Sequence, residues 1–217
     1  MAKKPDVGVT DSREQLLDVA ERLMSANGYA GTAVSVICKE AGVAPTSLYW
    51  HFGSKEGLLA GVMERGAARW FDALPRLTDT VFDSESRESV LIEQGAAAVG
   101  AYPVFLRLFY LLALEGAGDE VASELVKRVR VRACSYFAEA IAGLLAPTVG
   151  QPIAGIAAAE LARFAVAFSD GCFFATQLES DEVDLRRMYA DLVTALQALA
   201  PAAIDRARRM ATVPEEE

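Results

Sequence analysis

Apolar residues recur at helical spacing along almost the whole chain, and the period-two alternation of a half-buried strand is almost nowhere to be found. That single feature confines the chain to an all-helical fold. At 217 residues there is room for one large domain, or for a small domain fused to a larger one. Breakers divide the pattern unevenly. Up to residue 71 the helices are short: Asn27-Gly28 stops the first, Gly42 the second and Gly53 the third. Ser12 with Gln15 reads as a capping box for the first helix, Thr32 as the N-cap of the second, and Ser54 as the cap of the fourth. Beyond Pro75 the elements lengthen, at roughly 85–101, 103–116, 119–146, 152–177, 182–199 and 202–211. Gly116-Ala117-Gly118, Pro147, Ser180-Asp181 and Pro201 stand as breakers. The closing "PEEE" reads as a loose tail.

Charge follows the same division. The chain carries a net charge of −9, yet up to Trp70 there are 8 basic and 8 acidic residues, so all the excess acidity of the 21 basic and 30 acidic residues lies beyond. A uniformly acidic protein repels a polyanion; a neutral head on an acidic body leaves the head free to meet one. Three scattered cysteines and one histidine supply neither a disulfide framework nor the close ligand spacing of a metal site. No cluster of titratable residues suggests a catalytic centre, so no catalytic residue, metal or cofactor is expected. The opening "MAKKPDVGVTDSRE" lacks the apolar run of a signal peptide, and Glu160 with Arg163 interrupts the longest apolar segment, Pro152 to Phe168. A cytoplasmic protein without a membrane span is the expectation.

The most informative stretch joins the second and third helices. A three-residue turn, Gly42-Val43-Ala44, links two short helices, which is the grammar of a helix-turn-helix. Val43 is expected to anchor the turn. Pro45 suits the first turn of the third helix. Leu48 and Phe52, four apart, face inward; Thr46, Ser47 and Trp50 face outward, with Tyr49 and the lone His51 at the flanks. Hydroxyls and aromatic rings at an exposed helix start suit a surface that meets a partner.

The segment "GYAGTAVSVICKEAGVAPTSLYWHFGSKEGLL", Gly28 to Leu59, resembles the DNA-binding segment of the tetracycline-repressor (TetR) family of transcriptional regulators. The likeness rests on Gly28-Tyr29, Thr32, Ile37, Ala41-Gly42-Val43, Leu48-Tyr49, His51-Phe52, Ser54-Lys55-Glu56 and Leu58, within residues 10–70. It implies a helix-turn-helix DNA-binding domain over residues 1–53, a connecting helix at 54–71, and an effector-binding and dimerisation domain over 72–217. By the same likeness, the third helix enters the major groove of an inverted-repeat operator. Thr32, Tyr49, His51 and Lys55 then contact phosphates, and Ala44, Pro45, Thr46, Ser47 and Trp50 are candidates for base edges. Trp50 is compatible with a base or sugar contact and also with simple packing. Two positions depart from the family's habit: Ala44 stands where Ser is usual and Thr46 where Gly is frequent. Lys3 and Lys4 could form a basic arm.

Family members are mostly repressors released from DNA by a small molecule, which implies a homodimer and an apolar effector cavity in the larger domain. Phe105, Phe109, Phe137 and Phe168 are the candidate lining residues for a small hydrophobic or aromatic effector. Leu185, Met188, Leu192, Leu196 and Leu199 form one stripe; Ile156, Ala159, Arg163, Ala167 and Gly171 form a small-residue face. Either could build a four-helix dimer interface or fill the subunit's own core. The competing reading is an all-helical ligand-binding or scaffold protein that does not bind DNA.

Overall fold

The structure is a computed structural model, described over residues 7–74, 84–115, 120–179 and 182–212. Lys3, Lys4, Pro75, the Gly116–Gly118 and Ser180-Asp181 breakers and the terminal "PEEE" lie outside the described residues. The described residues form helices α1 (Val7–Asn27), α2 (Val34–Ala41), α3 (Pro45–Phe52), α4 (Lys55–Asp72), α5 (Ser84–Ala101), α6 (Pro103–Glu115), α7 (Glu120–Val149), α8 (Gln151–Leu178) and α9 (Leu185–Ala211), with no strand among them.

The chain gathers into two compact units, residues 1–71 with 102–128, and residues 72–101 with 129–217. In the first, α1 packs on α2, α3 and α6. Its face of Leu16, Leu17, Ala20 and Met24 is fully buried, and meets a core that includes Ile37, Leu48, Leu58, Leu59, Val62 and Met63. Glycines set the turns. Gly28, Gly42 and Gly53 have φ of +74°, +67° and +73°, backbone that a residue with a Cβ rarely adopts. At Gly42 the Val43 N–H reaches back to the Cys38 carbonyl at 3.0 Å, closing α2 as it turns into α3. Val43 itself is only half-buried, so Ile37 and Leu48 on either side, rather than Val43, anchor the turn.

In the second unit α9 lies along α8, and α5 packs on both. Ile141, Ala157, Ala158, Leu161, Ala203 and Ala207 form its small-residue core, where short side chains let α8 and α9 approach closely. By length and composition α8 could cross a membrane. In this fold it is instead a core helix: Ala154, Ala158, Ala162 and Ala165 are fully buried, and Glu160 pairs with Arg206 of α9.

Three local expectations are corrected. Ser12 does not cap α1, which begins at Val7; it stands on the helix's second turn. Thr32 is not the N-cap of α2; Ala33 holds that position, without a side-chain cap. Pro201 does not separate two helices. Residues 185–211 form one helix with Pro201 inside it, because proline's φ is helical and its losses, one N–H and a crowded carbonyl, fall on a helix held down by Ala203 and Ala207.

Candidate nucleic-acid interface

The helix-turn-helix presents two helix starts without side-chain caps. Ala33 precedes α2 and Ala44 precedes α3, both in extended backbone, with Pro45 at the first helical turn. Pro45 has no N–H, and those of Val36 and Ser47 turn back to the Ala33 and Ala44 carbonyls at 3.1 and 2.9 Å, which leaves the N–H groups of Val34, Ser35 and Thr46 at the positive ends of the two helix dipoles. Uncapped, they suit an anion. Thr32 is turned away from that role. It is 3% exposed, and its hydroxyl donates to the carbonyls of Gly28 at 2.8 Å and Leu23 at 3.3 Å, fastening the end of α1 to the start of α2.

On α3, Leu48 is fully buried and holds the helix down. Ala44, Pro45 and Thr46 are exposed, and Ser47 is half-buried. Tyr49 is 54% and Trp50 72% exposed, and Val36 on α2 is 48% exposed. An indole so open to water, on a helix whose core side is already filled, packs against little of its own chain except the His51 ring, which meets it edge-on at 4.6 Å. Phe52 is half-buried rather than fully inward; its ring lies under the Arg13 guanidinium, 5.5 Å from the centroid.

His51 is partly buried, and its Nε2 lies 2.9 Å from Ser12 Oγ of α1. Lys55 is held as well: its Nζ donates to the Tyr29 carbonyl at 2.7 Å and sits 4.3 Å above the Tyr29 ring. Tyr29 in turn donates its hydroxyl to Glu56 Oε1 at 3.1 Å. Hydrogen bonds from Ser54, from its own backbone N–H and from Tyr29 hold the Glu56 carboxyl below the usual carboxylate range. Ser54 caps α4 as expected, accepting from the Gly57 N–H at 3.1 Å. The start of α4 and the turn after α1 are thereby tied together beside α3. Sequence reasoning had no signal for Ser12, whose partner lies 39 residues away. Tyr29 stood within the recognised motif but without a role.

The effector candidates divide between the units. Phe105 and Phe109, 1% and 6% exposed, pack together in the first with ring centroids 6.4 Å apart. Phe137, buried beside Tyr136, and Phe168, half-buried beside Phe164, belong to the second.

Two short helices joined by a tight glycine turn, carried on further helices and baring aromatic and hydroxyl side chains, define a helix-turn-helix protein. Residues 16–62 match the family model of bacterial regulatory proteins, tetR family. The chain is 39% identical over 64 residues to the HTH-type transcriptional regulator AcrR of Shigella flexneri, and the match spans 30% of each chain. It is 51% identical over 49 residues to the HTH-type transcriptional regulator LmrA of Bacillus subtilis (strain 168), spanning 22% of this chain and 26% of the relative. The likeness to these curated relatives thus covers less than a third of their length. Solved structures extend the shared fold further. A transcriptional regulator from Pseudomonas aeruginosa PAO1 superposes with a TM-score of 0.75 at 18% identity, over 89% of this chain and 92% of that one. One from Saccharomonospora viridis, in complex with choline, superposes with a TM-score of 0.67 at 20% identity, over 87% and 96%. Residues 16–62 thus resemble the DNA-binding segment of the tetR family of bacterial regulatory proteins, and the chain shares its fold with solved transcriptional regulators.

Proposed function

We propose that this protein is a sequence-specific DNA-binding transcriptional regulator, a cytoplasmic repressor that leaves its operator when a small hydrophobic or aromatic effector binds. The observation that carries the reading is α3 itself: Leu48 fully buried on one side, Trp50 72% and Tyr49 54% exposed on the other. In this reading α3 lies in the major groove. Ala44, Pro45, Thr46, Ser47 and Trp50 face base edges, and Tyr49, His51 and Lys55 meet the flanking phosphates. The phosphate contact expected of Thr32 passes to the uncapped N–H groups that follow it at the start of α2.

A homodimer would place two such heads in successive major grooves, about 34 Å apart, on an inverted repeat. The α8 face supports this. Ala159, Arg163, Ala167 and Gly171 are exposed, and a Cβ at Gly155 or Gly171 would meet nothing within 4 Å. The α9 stripe divides: Leu192 is buried within its own unit, while Leu199 is 38% exposed. Effector binding would then favour a head spacing that no longer fits the operator, and DNA would weaken effector binding by the same factor. The Saccharomonospora viridis relative holds choline; in this chain the apolar candidates for effector contact are Phe105 and Phe109 in the one unit and, separately, Phe137 and Phe168 in the other.

Selection of bound duplexes from a random pool tests the reading. A palindromic consensus, with affinity falling steeply as salt rises, is the expected outcome. Binding no tighter to selected than to random DNA at any salt would sink it.

A further inference from the structure

Ser12 and His51 are far apart in sequence, yet Ser12 Oγ and His51 Nε2 stand 2.9 Å apart at a partly buried contact. Ser12 belongs to α1, which packs behind α3, and His51 to the last turn of α3. The imidazole is also flanked by Trp50, edge-on at 4.6 Å, and by Phe52, tilted at 5.9 Å. Its orientation is therefore fixed on three sides.

An imidazole has two distinct nitrogens, and the hydrogen bond made by one determines what the other can do. With Nε2 against Ser12, Nδ1 is the nitrogen not engaged by that contact. A hydroxyl both donates and accepts. It can donate to a bare Nε2 when the neutral ring carries its proton on Nδ1, or accept from Nε2–H when the ring is doubly protonated. Those are the two ring states in which Nδ1–H can donate to a phosphate oxygen. A carboxylate in place of Ser12 would satisfy only the second, and would set a negative charge beside the phosphate. Serine suits both without adding charge.

We propose that Ser12 is the positioning residue for His51: it pins Nε2 and so presents Nδ1–H to a phosphate of the DNA backbone. The proposal rests on the DNA-binding reading above and deepens it. Ser12 acts through the ring and needs no contact with DNA. Because phosphate contacts carry no sequence information, its influence falls on all duplexes alike.

His51 is the chain's single histidine, so its ring nitrogens give an unambiguous nitrogen–proton correlation spectrum. In the DNA-free protein, Ser12→Ala should shift the Nε2 resonance, and Ser12→Thr should restore it. An Nε2 resonance unmoved by Ser12→Ala would overturn the proposal. In binding assays Ser12→Ala should weaken every duplex by about three- to tenfold, with Ser12→Thr close to wild type. Placed on His51→Ala, the same change should alter affinity by less than about twofold. Equal losses in both backgrounds would overturn the role of Ser12 and leave the DNA-binding reading standing. Failure of the wild-type protein to prefer any duplex would instead remove that reading, and this proposal with it.

Discussion

The Phe105 ring of α6 lies against the bare backbone of Gly66 on α4. A Cβ at position 66 would stand 2.3 Å from Phe105 Cδ2, 2.9 Å from Cγ and 3.0 Å from Cε2. The helix accepts a glycine there in exchange for the close approach of a buried aromatic ring. Gly66→Ala gains about 1 kcal/mol of helix propensity but forces the ring out of its place. Overpacking of this kind costs about 1–3 kcal/mol, and here the clash falls on the ring of a residue only 1% exposed. The expected outcome is a lower urea midpoint for Gly66→Ala, partly recovered by Phe105→Leu in the same chain. A midpoint above wild type would contradict the contact.

One residue earlier on α4, Arg65 gathers three carboxylates of α1: Glu14 at 3.0 Å, Asp18 at 2.7 Å and Glu21 at 2.8 Å. The guanidinium side chain is 12% exposed, Glu21 15%, and Asp18 66%. The two ends of this cluster should therefore respond differently. Arg65→Met leaves three like charges facing one another and should cost about 2–4 kcal/mol. Asp18→Asn removes a solvated partner and should cost less than about 1 kcal/mol. Chemical denaturation of the two variants checks the order, and added salt should narrow the gap between Arg65→Met and wild type.

Trp50 and Tyr49 offer the converse case, side chains whose loss should leave the fold untouched. At 72% and 54% exposure, neither Trp50→Ala nor Tyr49→Phe should change stability by more than about 0.5 kcal/mol. Binding should separate them. If the Tyr49 hydroxyl meets a phosphate, Tyr49→Phe should weaken all duplexes about equally. Trp50→Ala should change the order of preference among duplexes if the indole reads a base. Competition binding on a selected duplex and its single-base variants checks both. An unchanged preference order for Trp50→Ala would move Trp50 from base reading to surface packing.

The contrast between these residues marks what the sequence could reveal. Features set by neighbours a few positions away were legible. The helical period, the glycines at 28, 42 and 53 with their positive φ, the Ser54 cap and the buried Leu48 all follow from local chemistry. The family likeness then assigned roles that periodicity alone leaves open. What stayed hidden depends on where distant segments meet. Ser12 looked like a cap because its local pattern fits one; its partner is on another helix. Thr32 has the right side chain for a cap, but sits one residue too early, and its hydroxyl turns to the end of α1. Pro201 looked like a stop because its effect was judged without the packing of α9 on α8. Leu192 has the spacing of an interface stripe, yet is buried in its own unit. Periodicity shows that a face is apolar, and cannot say which surface covers it.

Alkaline pH should destabilise the second unit through two phenols, the buried Tyr189 and the half-buried Tyr136. Tyr189 is 5% exposed, its ring lies against the backbone of Gly95, and its hydroxyl donates to Ser169 Oγ at 3.2 Å. Burial is the main cause that pushes its ionisation up to about 12 from 10.0. Burial raises Tyr136 in the same direction, with Tyr189 as a second cause. In the unfolded chain these phenols ionise near pH 10. The folded state must keep them neutral beyond that, so between about pH 10 and 12 the folded protein binds more protons than the unfolded one, and stability falls as pH rises. The contribution is fully present below the unfolded value and is lost as pH climbs through the folded one. For Tyr189 alone the loss is on the order of 2 kcal/mol across that window. Tyr189→Phe keeps the packing and removes the titration. Its stability relative to wild type should stay constant from pH 7 to 9 and improve by about that amount between pH 10 and 12, measured by urea unfolding at each pH. A difference that does not change with pH would mean that the Tyr189 hydroxyl ionises in the folded state as readily as in the unfolded chain.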